Sequence, residues 1–219
     1  MMRFVRNVFL SLCVAAVLPA VCGCNIFGFL GASANGPDDV PAQYVPKKES
    51  MLVLAESYGA APSADIDSQY LSYALTKNLK DHNVAPTIDQ KVLVQIRDAN
   101  GEQYDKMTIT AIGRAVGAKQ VLYVQITSAQ LEQPSGSDQV RGAMSAKVRI
   151  VDCDTGETRW PAGSRTGAVV QIQTNWARTS TSQTKIHDTM ADDLAEAIGK
   201  LFHSYTPDHF TDTSKLAQQ

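Results

Sequence analysis

The chain has 219 residues, 44% of them hydrophobic, with 20 Lys and Arg against 22 Asp and Glu. That near-balance excludes the basic footprint of a nucleic-acid binder and a polybasic membrane stripe. The length is ample for one hydrophobic core, and three of the four cysteines fall in the first 24 residues, so the folded part has no pair for an internal disulfide.

Arg3 and Arg6 give a positive start, and residues 8–21 form an apolar stretch interrupted by Ser11 and Pro19. Then comes Val21-Cys22-Gly23-Cys24. This order is that of a secretory signal over residues 1–23, too short and too Pro-interrupted for a membrane span. The four residues resemble the bacterial lipobox, with Cys22 in a less usual place. The resemblance implies cleavage after Gly23 and acylation of Cys24, with Val21, Cys22 and Gly23 as the cleavage motif. The alternative is plain secretion with cleavage nearby. Two or three acyl chains hold a protein stably where one is marginal. The expected location is therefore the cell envelope, lipid-anchored, with the domain in the periplasm. Asn25 rather than Asp after the cysteine favours the outer membrane over the inner, by the sorting rule of enterobacteria-like cells. Loss of residues 1–23 leaves 18 basic residues against 22 acidic, a charge of −4.

Residues 24–50 read as the lipidated cysteine and a flexible tether, because Pro37, Pro41 and Pro46 punctuate a Gly-, Ala- and Asp-rich stretch that does not fold alone. The domain is expected over residues 51–206, with residues 207–219 as a flexible tail. Residues 51–55 (MLVLA) predict a strand buried on both faces, and Asp65 a cap for the following helix. In that helix Ile66, Tyr70, Tyr73 and Ala74 recur at helical spacing, as do Leu71, Leu75 and Leu79. Residues 84–88 predict a short second strand.

Residues 91–97 alternate like a strand, but Asp89 as N-cap and Gly101 beyond the end favour a short helix. Thr108 caps a further helix that Gly117 stops. Residues 120–129 predict a strand, residues 132–139 a polar loop, and residues 143–152 an alternating strand with Met144, Ala146, Val148 and Ile150 on one face. Asp154-Thr155-Gly156 is a tight turn, which returns residues 157–160 as a hairpin partner. Residues 167–174 predict another strand and residues 175–183 a polar loop. Thr184 caps a last helix whose apolar face holds Ile186, Met190, Leu194, Ile198, Leu201 and Phe202. The whole predicts an α/β domain with a mixed sheet.

Two passages carry a family likeness: Ile112-Gly113-Arg114-Ala115-Val116-Gly117-Ala118-Lys119-Gln120-Val121-Leu122-Tyr123-Val124, and the hairpin from Val148 through Asp152, Thr155-Gly156-Glu157 and Trp160 to Pro161. They resemble the envelope lipoprotein group that includes the curli secretion lipoprotein CsgG, the penicillin-binding-protein activator LpoB and the TolB amino-terminal domain. Pro41-Ala42-Gln43-Tyr44 and Lys200-Leu201-Phe202 resemble uncharacterised planctomycete lipoproteins more closely. In this fold Gly113 and Gly117 would let a helix approach the sheet. The resemblance implies a role in envelope assembly, regulation or scaffolding. Pore-forming relatives insert long β-hairpins, each strand about 9–11 residues; residues 102–107, 132–139 and 175–183 are too short and polar for that.

Candidates for chemistry are few. Cys153 lies between Asp152 and Asp154, which disfavour a thiolate. His187 beside Asp188 has no nucleophile elbow to serve, and acids at a helix start have an ordinary dipole role. His203 and His209 lack a third metal ligand. Gly113 and Gly117 are not a phosphate cradle. No cofactor, metal or nucleic acid is expected, and the chain reads as a non-enzyme. For binding, the candidates are Trp160, Trp176, Tyr44, Tyr58 and Tyr104. Trp176, two residues before Arg178, either anchors an interface or folds back over the sheet. The expectation is a membrane-anchored protein that binds another envelope protein. The alternative is a homo-oligomeric part of a secretion or transport assembly, and a third class is an envelope hydrolase.

Overall fold

The computed structural model describes residues 39–57 and 66–207. The signal, the lipobox with Cys24, Asp65, Tyr58, His209 and nearly all of the tail lie outside the described residues. Among those described, no helix is long and apolar enough to cross a membrane.

Met51–Ser57 forms strand β1, whose first five residues are all buried, as expected of a strand covered on both sides. It pairs in parallel with β2, Gln120–Glu132. A parallel pair needs a long crossover, here α1 (Ile66–Asp81), α2 (Gln90–Asn100), a 3-10 turn (Gly101–Lys106) and α3 (Ile109–Ala115). Then β2 turns into β3, Gln139–Asp152, which pairs antiparallel with β2 on one side. Along its other side run, in turn, β4 (Thr158–Trp160), β5 (Ala168–Gln173) and β6 (Ala177–Arg178). The last helix, α4, is Gln183–Gly199. The architecture is a mixed α/β domain on a six-stranded sheet.

Each sheet face has its own core. On one face Leu71, Leu75 and Leu79 of α1 and Met190, Leu194 and Ile198 of α4 pack on Val53, Val124, Met144, Ala146, Val148 and Ile150. On the other, Leu93 of α2, Tyr104 and Ile112 of α3 cover Leu52, Leu54, Val121 and Tyr123. In α1 the leucines face inward, while Tyr70 and Tyr73 are exposed. Gly113 permits close approach, since a Cβ there would lie 2.6 Å from Cys153 Sγ and 2.7 Å from Val121 Cγ2. Gly117 does not serve this end: nothing lies near its missing Cβ, and its φ of +78° makes it the turn after the helix.

Four further expectations change. Residues 84–88 are not a strand; Met51 bridges Thr87 once, Met51 N–H donates to Pro86 O and Ile88 N–H to Met51 O, each at 2.8 Å. Pro86 brings no N–H of its own, and the Asp89 cap starts α2 at once, its carboxylate accepting from Lys91 N–H. Both strands of the β2–β3 hairpin run further toward the turn, leaving residues 133–138 as its tip. The cap of α4 is Ser182, whose Oγ accepts from Lys185 N–H at 3.3 Å, rather than Thr184. Leu201 and Phe202 follow that helix rather than belong to it.

The stretch before β1 is also held in place. The chain divides into a body of Pro41–Tyr205 and a flanking unit in which Thr206 Oγ1 donates to Asp39. Residues 41–50 thus belong to the body. Gln43 and Tyr44 N–H both donate to Leu201 O, at 2.9 and 3.1 Å. The buried Gln120 amide donates to Lys47 O at 2.8 Å, and Lys119 and Gln120 N–H donate to Ser50 O. Tyr44 and Phe202 flank Trp160 at centroid distances of 6.3 and 5.2 Å. The two short segments, residues 41–44 and 200–202, meet here.

Candidate partner-binding site

Strand alternation divides β3 cleanly. Its even residues from Val140 to Ile150 are buried, and its odd residues from Arg141 to Arg149 point to the other face. That second face is covered by α2, the 3-10 turn and α3 only toward the start of β2. Beyond them no described element covers it, and register sets its neighbours: Gln125, Lys147 and Val169 form one cross-strand row, Ser128, Ser145 and Gln171 the next. Val169 is 63% exposed, the most exposed large apolar side chain of the sheet.

Two arginines on this face lie over aromatic rings, whose negative faces attract the cations. Arg149 lies over Tyr123, 5.1 Å from the ring centroid, and donates to Arg165 O at 3.0 Å. The Tyr123 hydroxyl donates to Glu56 at 2.9 Å, and burial, followed by the Glu56 charge, pushes its pKa up. Arg141 lies over Trp176 at 4.6 Å and pairs with Glu132 at 2.7 Å. The Lys147 side chain, between them on β3, makes no hydrogen bond or ion pair among the described residues.

Trp176 is placed by Thr174. The Thr174 N–H donates to Gly142 O and its hydroxyl accepts from Gly142 N–H, both at 2.9 Å. The chain then turns so that Ala177 and Arg178 pair with Val140 and Gln139. Trp176 is 43% exposed, with Arg141 against its ring. The arginine that meets it comes from another strand; Arg178, the sequence neighbour, is exposed opposite Gln139. The polar alternation of residues 141–149 was readable as an outward row, since Lys147 and Arg149 fall at the positions opposite the apolar ones.

The remaining candidates have other duties. Trp160 and Tyr104 are buried in the two cores, and Arg97 covers the Tyr104 ring. Cys153 is fully buried against Gly113, and burial, with Asp152 and Asp154, pushes its thiol up and away from nucleophilic use. His187 Nδ1 lies 3.2 Å from Asp67 of α1, and both are about one-third exposed. Asp188 and Asp192 raise the pKa of Tyr70, Asp192 more strongly. His203 stacks on His82 with centroids 3.8 Å apart, and each Nδ1 donates to a carbonyl, Ser204 O and Asn78 O. Among the described residues no group of three His, Cys, Asp or Glu is placed to hold a metal. A shallow recess of about 440 Å³ is lined by Lys48, Lys80, Asn83 and residues 85–87. The Lys48 ammonium there is spent on Asn83 O and Val84 O.

No protein-family model matches the chain, and no curated protein matches it. Solved structures similar to it include lipoprotein GNA1162 from Neisseria meningitidis, at 17% identity and TM-score 0.44 over 69% of this chain and 99% of that one. A PelC dodecamer from Paraburkholderia phytofirmans is similar at 8% identity and TM-score 0.37, over 74% and 95%. A minor lipoprotein from Acinetobacter baumannii is similar at 10% identity and TM-score 0.37, over 70% and 91%. Bacterial lipoproteins are thus among its neighbours in shape, and at these values the chain takes neither a family nor an assembly from them.

Proposed function

We propose that this protein is a membrane-anchored, non-catalytic envelope lipoprotein that acts by binding another envelope protein through the open sheet face. The observation that carries the reading is that face itself: Trp176 exposed under Arg141, Val169 exposed further along the sheet, and Arg149 beyond it over the buried Tyr123. Tryptophan and arginine are the residues that concentrate binding energy at interfaces. By likeness to the CsgG, LpoB and TolB amino-terminal-domain group, the role is in assembly, regulation or scaffolding.

The anchor is Cys24, and the outer membrane is the favoured site. Because the body begins at Pro41, the link from Cys24 has about 17 residues and can reach at most about 60 Å from the lipid. Holding a binder near its partner raises the effective concentration, so a modest intrinsic affinity suffices.

Cys24→Ser should move the protein from the membrane pellet to the soluble fraction; continued pelleting would defeat the lipid anchor. The binding role is tested by placing a photo-crosslinking residue at position 176 of the lipidated chain in cells. Capture of one specific different protein supports the reading. Links only between copies of this chain replace it with the homo-oligomeric assembly.

A further inference from the structure

We propose that the free edge of β5, with the cationic face beside it, takes an extended acidic segment of a partner protein by strand addition. This rests on the protein-binding reading above and names the chemistry of the partner.

The two long edges of the sheet are treated differently. On β1 the outer edge is occupied: Met51 exchanges hydrogen bonds with Pro86 and Ile88, Val53 O accepts from the Gln90 amide at 2.9 Å, and Ala55 N–H donates to Ser72 Oγ at 3.1 Å. On β5 one side pairs with β3 in unbroken register from Ala168 to Gln173. Among the described residues nothing else hydrogen-bonds to its backbone. Nor does β5 carry the features that blunt an exposed edge, since AVVQIQ has no charge, no proline and no bulge. The other segments on this side, β4 and β6, have three and two residues.

An added strand would place alternate side chains on the two faces of the sheet. On the core side it meets Ala168, Val170 and Ile172, which are only half buried against the core and offer apolar ground to cover. On the open side it meets Val169, Gln171 and Gln173, with Lys147 directly beyond Val169 and Arg149 further along β3. Among the described residues neither cation has a carboxylate partner. The edge therefore suits a segment that alternates apolar and acidic residues. A polyanionic glycan or nucleic acid would satisfy the cations but not the row of backbone donors and acceptors, which only a polypeptide matches. A second copy of this chain would offer β5 an uncharged strand and leave Lys147 and Arg149 unpaired.

The test uses the full chain in detergent and fluorescein-labelled peptides of about seven residues, long enough to span the strand. The first alternates Val and Glu, the second Val and Lys. Anisotropy should show saturable binding of the Val–Glu peptide and none of the Val–Lys peptide. The Lys147→Glu/Arg149→Glu variant should lose about tenfold or more in affinity for the first and gain binding of the second. Backbone N-methylation of the Val–Glu peptide on one edge should abolish binding, and on the other edge leave it unchanged. Equal binding of both peptides, indifference to N-methylation on either edge, or no binding by a chain of twice the monomer mass in light scattering would overturn the proposal. If crosslinking at position 176 still captures a partner while the Val–Glu peptide does not bind, this inference falls and the binding role stands.

Discussion

Replacing Arg159 with Met should cost about 2 kcal/mol of stability, between the worth of an exposed ion pair and the cost of removing one partner of a buried one. The guanidinium joins three chain segments. Its Nε and Nη2 donate to Asp152 Oδ2 at 2.9 and 2.5 Å, and its Nη1 donates to Glu49 Oε2 at 2.8 Å and Gln120 Oε1 at 3.0 Å. The side chains of Arg159 and Asp152 are 13% and 16% exposed, and Gln120 is fully buried. The substitution leaves a largely buried carboxylate without its cation and an amide oxygen without a donor, while a Met stem keeps much of the packing. Chemical denaturation at neutral pH should show the loss as a lower midpoint; an unchanged midpoint would show that the cluster does not clamp the fold.

The same cluster gives a pH dependence of known sign. The Thr155 N–H first, then the Arg159 side chain and the Asp154 N–H, hold the Asp152 pKa down to about 2, against an ordinary value of 3.8. A carboxylate depressed in the folded state contributes stability that is present above the ordinary value and is lost as pH falls toward the folded one. The wild-type protein should therefore lose this contribution between pH of about 4 and 2. Arg159→Met should lose less over that window, because only the two turn N–H bonds then favour the ionised form.

Asp152 and Arg159 belong to a hairpin that was legible from its turn residues, and the reason is local. Asp152 accepts from Asp154 and Thr155 N–H, and Gly156 N–H returns to Asp152 O, so the turn chemistry is contained in five consecutive residues. The caps at Asp89 and Thr108 were legible for the same reason. Interactions across sequence were not. Nothing in the Pro-rich stretch before Met51 signals that Gln120 and Leu201 hold it, since a buried glutamine amide and a carbonyl after α4 do so. At the hairpin, Gly142 hid the continuation of β3; glycine is a weak strand former, yet Met190 fills the place its side chain would take. At the proposed binding face, Trp176 was visible as an aromatic in a polar segment. Its partner Arg141 lies 35 positions earlier in the chain, brought to it by the pairing of β6 with β3.

β5 presents its edge only because Gly167 lets the chain enter it, and Gly167→Ala should cost about 3 kcal/mol or more from two separable causes. The first is conformational: φ is +91°, where an L side chain is strained by about 1–2 kcal/mol. The second is steric. A Cβ would sit 2.7 Å from Val148 O and 3.0 Å from Val148 C, and that backbone cannot step aside, because Val148 pairs with Val124 on one side and Ala168 on the other. Gly163 supplies the control, with φ of +73° and nothing within 4 Å of its missing Cβ, so Gly163→Ala should show the conformational cost alone. Thermal unfolding of the two variants separates the causes, and equal losses would mean that contact with Val148 contributes nothing. Hydrogen exchange then locates the damage. In Gly167→Ala the amides of β5 that pair with β3 should exchange faster than those of the β1–β2 pair, because the clash can be relieved by peeling the strand from its start. A β5 that loosens in this way should also lose the Val–Glu peptide, since strand addition needs a fixed edge on which to pair.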